Sequence, residues 1–276
     1  MLTTLKRLVI GRPIATADEG HQRLPKKVAL PVFASDAISS TAYAVDEILV
    51  VLVIAGGVGA FAFTKLVPIA IVVAILLAIV VISYRQTIYA YPSGGGSYVV
   101  SKDNLGTLPA LVAGSSLLVD YILTVAVSVA GGVLAIRSAV NFDNKWTVPV
   151  CVACVLVMML ANLRGMKESG ALFAPPTYLY IVMLIALIVT GLVRVFILKN
   201  IDPIDPESIS EEAKHLSEGA KGLGLMMLLR AFSSGAVALS GVEAVSNGVP
   251  AFKKPESRNA ASTIMIMAVI LGSCFL

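Results

Sequence analysis

The residues in this sequence best able to do chemistry are carboxylates lying where a membrane helix would carry leucine. Asp36 lies in ALPVFASDAISSTAYAVDEILVVLVIAGG, Asp120 in LVAGSSLLVDYILTVAVSVAGG and Glu243 in GLMMLLRAFSSGAVALSGVEAVSNGVPAF. A carboxylate at the centre of a bilayer costs about 2.5 kcal/mol or more on insertion scales, so each needs a partner or a task. Hydroxyl groups accompany all three. Ser35, Ser39, Ser40 and Thr41 flank Asp36, and Tyr43 follows it by seven residues. Beside Asp120, the residues Tyr121, Thr124 and Ser128 stand at i, i+3 and i+7, on one helical face. Ser233, Ser234 and Ser240 precede Glu243. Carboxylate, phenol and hydroxyl oxygens together make a hard-oxygen environment of the kind an alkali cation accepts. Arg230, the basic residue well inside a span, lies nearly four helical turns from Glu243, which leaves the interior biased negative. Asp46 and Glu47, about three turns after Asp36, are placed to reach an outer cavity. The competing reading has the hydroxyls bonding back to their own helix, a common habit of Ser and Thr in membranes.

Such residues need helices to hold them at depth, and the composition provides these. The chain is 57% hydrophobic and 14% charged, with a mean hydropathy of +0.89, whereas a soluble domain is about 45–50% apolar and about 25% charged. Seven hydrophobic segments run near 28–57, 66–91, 108–136, 147–163, 172–198, 222–250 and 259–276. They are apolar nearly all round and approach or exceed the roughly 20 residues that cross a bilayer, so the expected fold is an all-α polytopic membrane protein. Pro109, Pro149 and Pro176 are expected near segment starts, where a missing N–H costs little.

Segments one and six are polar in the middle. Serine, glycine and aspartate favour local side-chain bonds or open backbone over continuous helix, so both segments are expected to break at mid-membrane. Open backbone at that depth is tolerated where it lines a cavity or packs inside protein. Two weak helices at matching places in two halves point to an inverted-repeat transporter site. Small residues that merely let helices approach closely are the alternative.

Lysine and arginine set the orientation. With the amino terminus inside, the inner stretches hold 13 of them and the outer connections seven, which favours a cytoplasmic amino terminus. The expected organisation is a basic cytoplasmic tail at 1–27, a first five-helix repeat at 28–198, an acidic extracellular connection at 199–221 with a short surface helix near 206–216, and the start of a second repeat at 222–276. The net charge of +4 sits at span ends, so no nucleic-acid partner is expected. Cys151, Cys154 and Cys274 lie in apolar runs and read as packing residues, since no second pair or histidine accompanies the C-x-x-C. YPSGGGSYVVSKDNLG, 91–106, lacks the GK[ST] of a phosphate cradle and reads as a flexible hinge into a short amphipathic helix on the inner surface. Segment seven stops at Leu276 in mid-run, so a longer protein is expected. A Ser–His protease dyad is excluded because His21 and His215 lie outside the spans, while an aspartyl pair of Asp36 and Asp120 and a regulatory membrane subunit remain open.

The chain resembles the amino acid–polyamine–organocation superfamily of transporters, and within it the potassium–proton symporters of the Kup group, in particular their KimA-like branch. SDAISSTAY (35–43), SYRQTIYAYPSGGGSYVVSKDNLG (83–106), GSSLLVDYILTVAVSVAGG (114–132), ANLRGMKES (161–169) and AFSSGAVALSGVEAVSNGVPAFKKPESRNAA (231–261) carry the resemblance. It implies a LeuT-like fold of two inverted five-helix repeats with broken first and sixth helices, followed by a soluble carboxy-terminal domain. It implies potassium coordination by Asp36, Tyr43, Asp120, Tyr121, Thr124, Ser128, Ser240 and Glu243, with serine at 240 where close relatives carry threonine. The implied activity is proton-coupled potassium uptake by alternating access at the cell membrane, with Asp36 or Glu243 carrying the proton. No catalytic residue and no cofactor beyond the transported ions is implied, and a homodimer in the lipid bilayer is compatible with it. An amino-acid or polyamine permease of the same superfamily is the alternative, although Asp36 would repel an amino acid's carboxylate.

Overall fold

A computed structural model of the chain describes residues 22–56, 60–140, 142–163, 165–200 and 224–275. The tail through His21, the stretch 201–223 with His215 and the expected surface helix, and Arg164 lie outside the described residues. The described chain is helical, apart from one isolated bridge pairing Leu24 with Phe252. In order come α1 (Lys26–Gly56), α2 (Ala60–Ala90), α3 (Gly96–Leu105), α4 (Thr107–Val140), α5 (Thr147–Leu163), α6 (Met166–Leu192), α7 (Leu225–Gly235), α8 (Ala244–Asn247) and α9 (Glu256–Phe275). Seven spans among the described residues are long and apolar enough to cross a membrane, and they match the seven expected segments. On α4, Leu118, Val119, Ile122 and Leu123 are each more than half exposed. Contiguous apolar faces of that extent suit hydrocarbon rather than water. The chain is a multi-pass membrane protein.

Three expectations are corrected by the structure. Segment one does not break: α1 runs without interruption from Lys26 to Gly56, through Asp36 and Tyr43. Its hydroxyls are satisfied within the helix instead of opening it, since Ser39 Oγ donates to the Asp36 carbonyl at 2.8 Å and Thr41 Oγ1 to the Ala37 carbonyl at 2.8 Å. Pro176 is not near a start, because α6 begins at Met166; Pro109 and Pro149, by contrast, each fall at the third residue of their helix. The helix after the glycines is present as α3, but its burial is graded along its length, from buried Gly96 to exposed Leu105, and not across two faces.

The chain folds into two compact units whose boundaries fall within α1, α2, α6 and α9 and between Glu243 and Ala244. One unit holds 1–33, 86–175 and 244–263; the other holds 34–85, 176–243 and 264–276. In the first, Leu24 and Phe252 are fully buried, Phe33 stacks on Phe252 with centroids 5.2 Å apart, and Arg23 pairs with Glu256. In the second, Ile48, Leu52, Val73, Ala231 and Phe275 form the core. There α7 approaches α1 at Gly235, where a Cβ would come within 2.5 Å of Ile48 Cδ1. Cys151, Cys154 and Cys274 are free, partly buried thiols.

Candidate functional site

Segment six does break, where the sequence places Ser240 and Gly241. Helix α7 tightens into a 3-10 turn over Ala236–Leu239, Ser240 turns extended with ψ 145°, and Gly241 takes a φ of +82°. That φ is costly for any residue with a Cβ and open to glycine. The helix that stops at Leu239 leaves carbonyls of its last turn without partners in the helix, at the negative end of the macrodipole. A short turn then carries the chain through Val242 and Glu243, both buried.

Asp36 of α1 packs directly on this break. A Cβ built on Gly241 would lie 2.8 Å from both Cγ and Oδ2 of Asp36 and 2.7 Å from the Ala37 nitrogen, so the missing side chain is what lets the carboxylate in. The other carboxylate oxygen, Oδ1, is 3.4 Å from Ser40 Oγ, and Ser40 Oγ is 3.0 Å from the Tyr43 hydroxyl. Ser40 is fully buried and has one hydrogen to give. Donated to the carboxylate, that hydrogen makes Ser40 the acceptor of Tyr43, so the relay runs from Tyr43 through Ser40 to Asp36. The phenol's hydrogen is thereby turned along the helix, and its lone pairs are the part offered to a ligand. Asp36, Tyr43, Ser240 and Glu243 all belong to this unit. A cleft of about 120 Å³ in this unit is lined chiefly by apolar side chains such as Ile38, Val45 and Leu184, and none of these four residues lines it. Asp46 and Glu47 are exposed.

The other four expected ligands belong to the other unit, on α4. Tyr121, Thr124 and Ser128 share one partly buried face, whereas Asp120 lies on the exposed flank. Ser128 Oγ is buried with no hydrogen-bond partner among the described residues. The Tyr121 hydroxyl accepts a hydrogen bond from Asn247 Nδ2 at 2.8 Å. Among the described residues no three His, Cys, Asp or Glu side chains cluster as a transition metal would require.

Ser40, Gly241 and Asn247 were not among the expected ligands. For Ser40 the signal was present, since it stands four residues after Asp36 and three before Tyr43 on one helical face. Gly241 weakens a helix by its residue type, but its contact with Asp36 is tertiary. Asn247 reaches Tyr121 across 126 positions, and nothing local announces it.

A family profile described as amino acid permease matches residues 30–276. Over its whole length the chain is 47% identical to the potassium transporter KimA of Bacillus subtilis, of which it covers 44%. It is also 36% identical over 77 residues, 28% of this chain and 12% of the relative, to a probable potassium transport system protein Kup of Flavobacterium psychrophilum. The chain thus spans less than half the length of these relatives.

Proposed function

This chain belongs to the amino acid permease family, and we propose that it carries the ion site of a proton-coupled potassium uptake transporter working by alternating access. The observation that carries this reading is the Asp36 carboxylate packed on the break at Gly241 and joined through Ser40 to Tyr43. That arrangement offers negative charge, phenol lone pairs and the carbonyl end of a broken helix, the donor set of a dehydrated cation. In the other unit, the α4 hydroxyls of Tyr121, Thr124 and Ser128 are read as ion ligands in their own right. Glu243 or Asp36 is the carboxylate that exchanges the coupling proton. The names of both relatives support potassium as the cargo. The protein sits in the cell membrane with its amino terminus in the cytoplasm, as the lysine and arginine bias favours; 28–198 form the first repeat and 222–276 open the second.

The family's description as amino acid permeases favours a second reading, an amino-acid substrate. Such a solute needs N–H donors for its carboxylate. Along segment one those donors are committed to the unbroken ladder of α1, and Asp36 would repel the carboxylate. A polyamine escapes the second objection. Membership of a permease family sets aside the aspartyl-protease alternative. Rubidium uptake by the full-length protein in potassium-starved cells, with proton entry in step, is the expected result. Proton flux that follows an added amino acid or polyamine, without rubidium uptake, overturns it.

A further inference from the structure

Asn247 ends α8, and its side chain lies between Tyr121 and Gly96. Its amide Nδ2 donates to the Tyr121 hydroxyl at 2.8 Å. Its Oδ1 is buried without a hydrogen-bond partner among the described residues, and so close to Gly96 that a Cβ on that glycine would lie 1.9 Å from it. Its backbone carbonyl accepts from the Gly95 nitrogen at 3.3 Å, and a Cβ on Gly94 would lie 2.7 Å from that same carbonyl oxygen. Gly94, Gly95 and Gly96 have φ values of +76°, +91° and +43°. Three successive residues in the left-handed region, two of them against Asn247 with no room for a Cβ, are a built cradle rather than a hinge.

We propose that Asn247 is the positioning residue of Tyr121. The inference rests on the reading of Tyr121 as an ion ligand. The side chain presents its NH₂ to Tyr121. A donor there makes the phenol oxygen an acceptor and keeps its own hydrogen away from Asn247. It also removes the freedom of the ring, so the oxygen is ordered before the ion arrives. The contact lies wholly within one unit of the fold.

Four variants of the full-length protein test this by rubidium uptake in potassium-starved cells: Tyr121→Phe, Asn247→Leu, Asn247→Asp and the double variant Tyr121→Phe/Asn247→Leu. Asn247→Leu is expected to raise KM roughly five- to tenfold, the size of one hydrogen bond, with Vmax within about twofold. In the Tyr121→Phe background it adds nothing, because its route of action is gone. Multiplication of the two effects in the double variant assigns Asn247 a separate structural role and overturns the proposal. So does a normal KM for Asn247→Leu beside a raised KM for Tyr121→Phe, which leaves the ion-site reading intact. A normal KM for Tyr121→Phe removes both. Should Asn247→Leu fail to reach the membrane, Asn247→Asp keeps the shape and the oxygen at Gly96 but lacks the donor; a normal KM for it overturns the proposal equally.

Discussion

Replacing Gly241 with alanine puts a methyl group where α1 already lies. The φ of +82° costs an L-residue about 1–2 kcal/mol. The new Cβ would stand 2.7 Å from the Ala37 nitrogen and 2.8 Å from Cγ and Oδ2 of Asp36, against an unstrained separation of about 3.5–4.0 Å. Ala37 is locked in a continuous helix and cannot retreat cheaply. Overpacking of this kind adds about 1–3 kcal/mol, for a total of about 2–5 kcal/mol. The strain has two outlets. If the backbone yields, Tm in detergent falls; if the Asp36 carboxylate yields, its contact with Ser40 is lost and the ion binds more weakly. About 1.4 kcal/mol is tenfold in affinity, so at least a tenfold rise in the rubidium KM, or a clear loss of folded protein, is expected. Gly131→Ala and Gly132→Ala are the controls, since a Cβ at either meets nothing within 4 Å and alanine favours helix. A Gly241→Ala protein with unaltered Tm and KM would refute the argument that this glycine admits Asp36.

Ser40→Ala removes the link between Asp36 and Tyr43 at a fully buried position; it is expected to cost about 1–3 kcal/mol, read as a raised KM with little change in expression. Gly96→Ala drives a methyl into Asn247 Oδ1 at a φ of +43° and should abolish uptake, whereas Gly106→Ala, with open space at φ +96°, should weaken the protein by backbone strain alone. Outside the spans, the Lys145 side chain beside Asp143 holds that carboxyl below its ordinary range, aided by the Lys145 backbone N–H. A depressed folded-state pKa contributes stability present above the unfolded pKa and lost as pH falls through the folded one. Lys145→Met should therefore move the Asp143 titration upward, a shift read by pH titration of a carbonyl-labelled aspartate; an unmoved titration would remove Lys145 as the cause.

The spans were legible because apolar length is a property of the chain itself: segment three, expected at 108–136, is α4, Thr107–Val140. The break in segment six was legible too, since Ser240 and Gly241 weaken helix locally. Segment one misled because composition does not say where a hydroxyl turns. Ser39 and Ser40 are the same residue type, yet Ser39 bonds a backbone carbonyl three residues back while Ser40 bonds a carboxylate and a phenol. The glycines at 94–96 misled in the same way, because a glycine needed for close docking on Asn247 looks no different from a flexible one. Of the eight expected ligands, Asp36 and Tyr43 are joined through Ser40, and Asp36 lies against the Ser240–Glu243 turn. The face of Tyr121, Thr124 and Ser128 follows from helical spacing, but the exposure of Asp120 depends on tertiary packing.

The proposed ion site turns on Asp36, and its most direct test is rubidium uptake by full-length Asp36→Asn protein in potassium-starved cells. The substitution keeps the size of the side chain beside Gly241 and removes its charge. Rubidium uptake is expected to fall to background while the protein stays folded in the membrane. Uptake at the unmodified rate and KM would contradict a cation site built on this carboxylate.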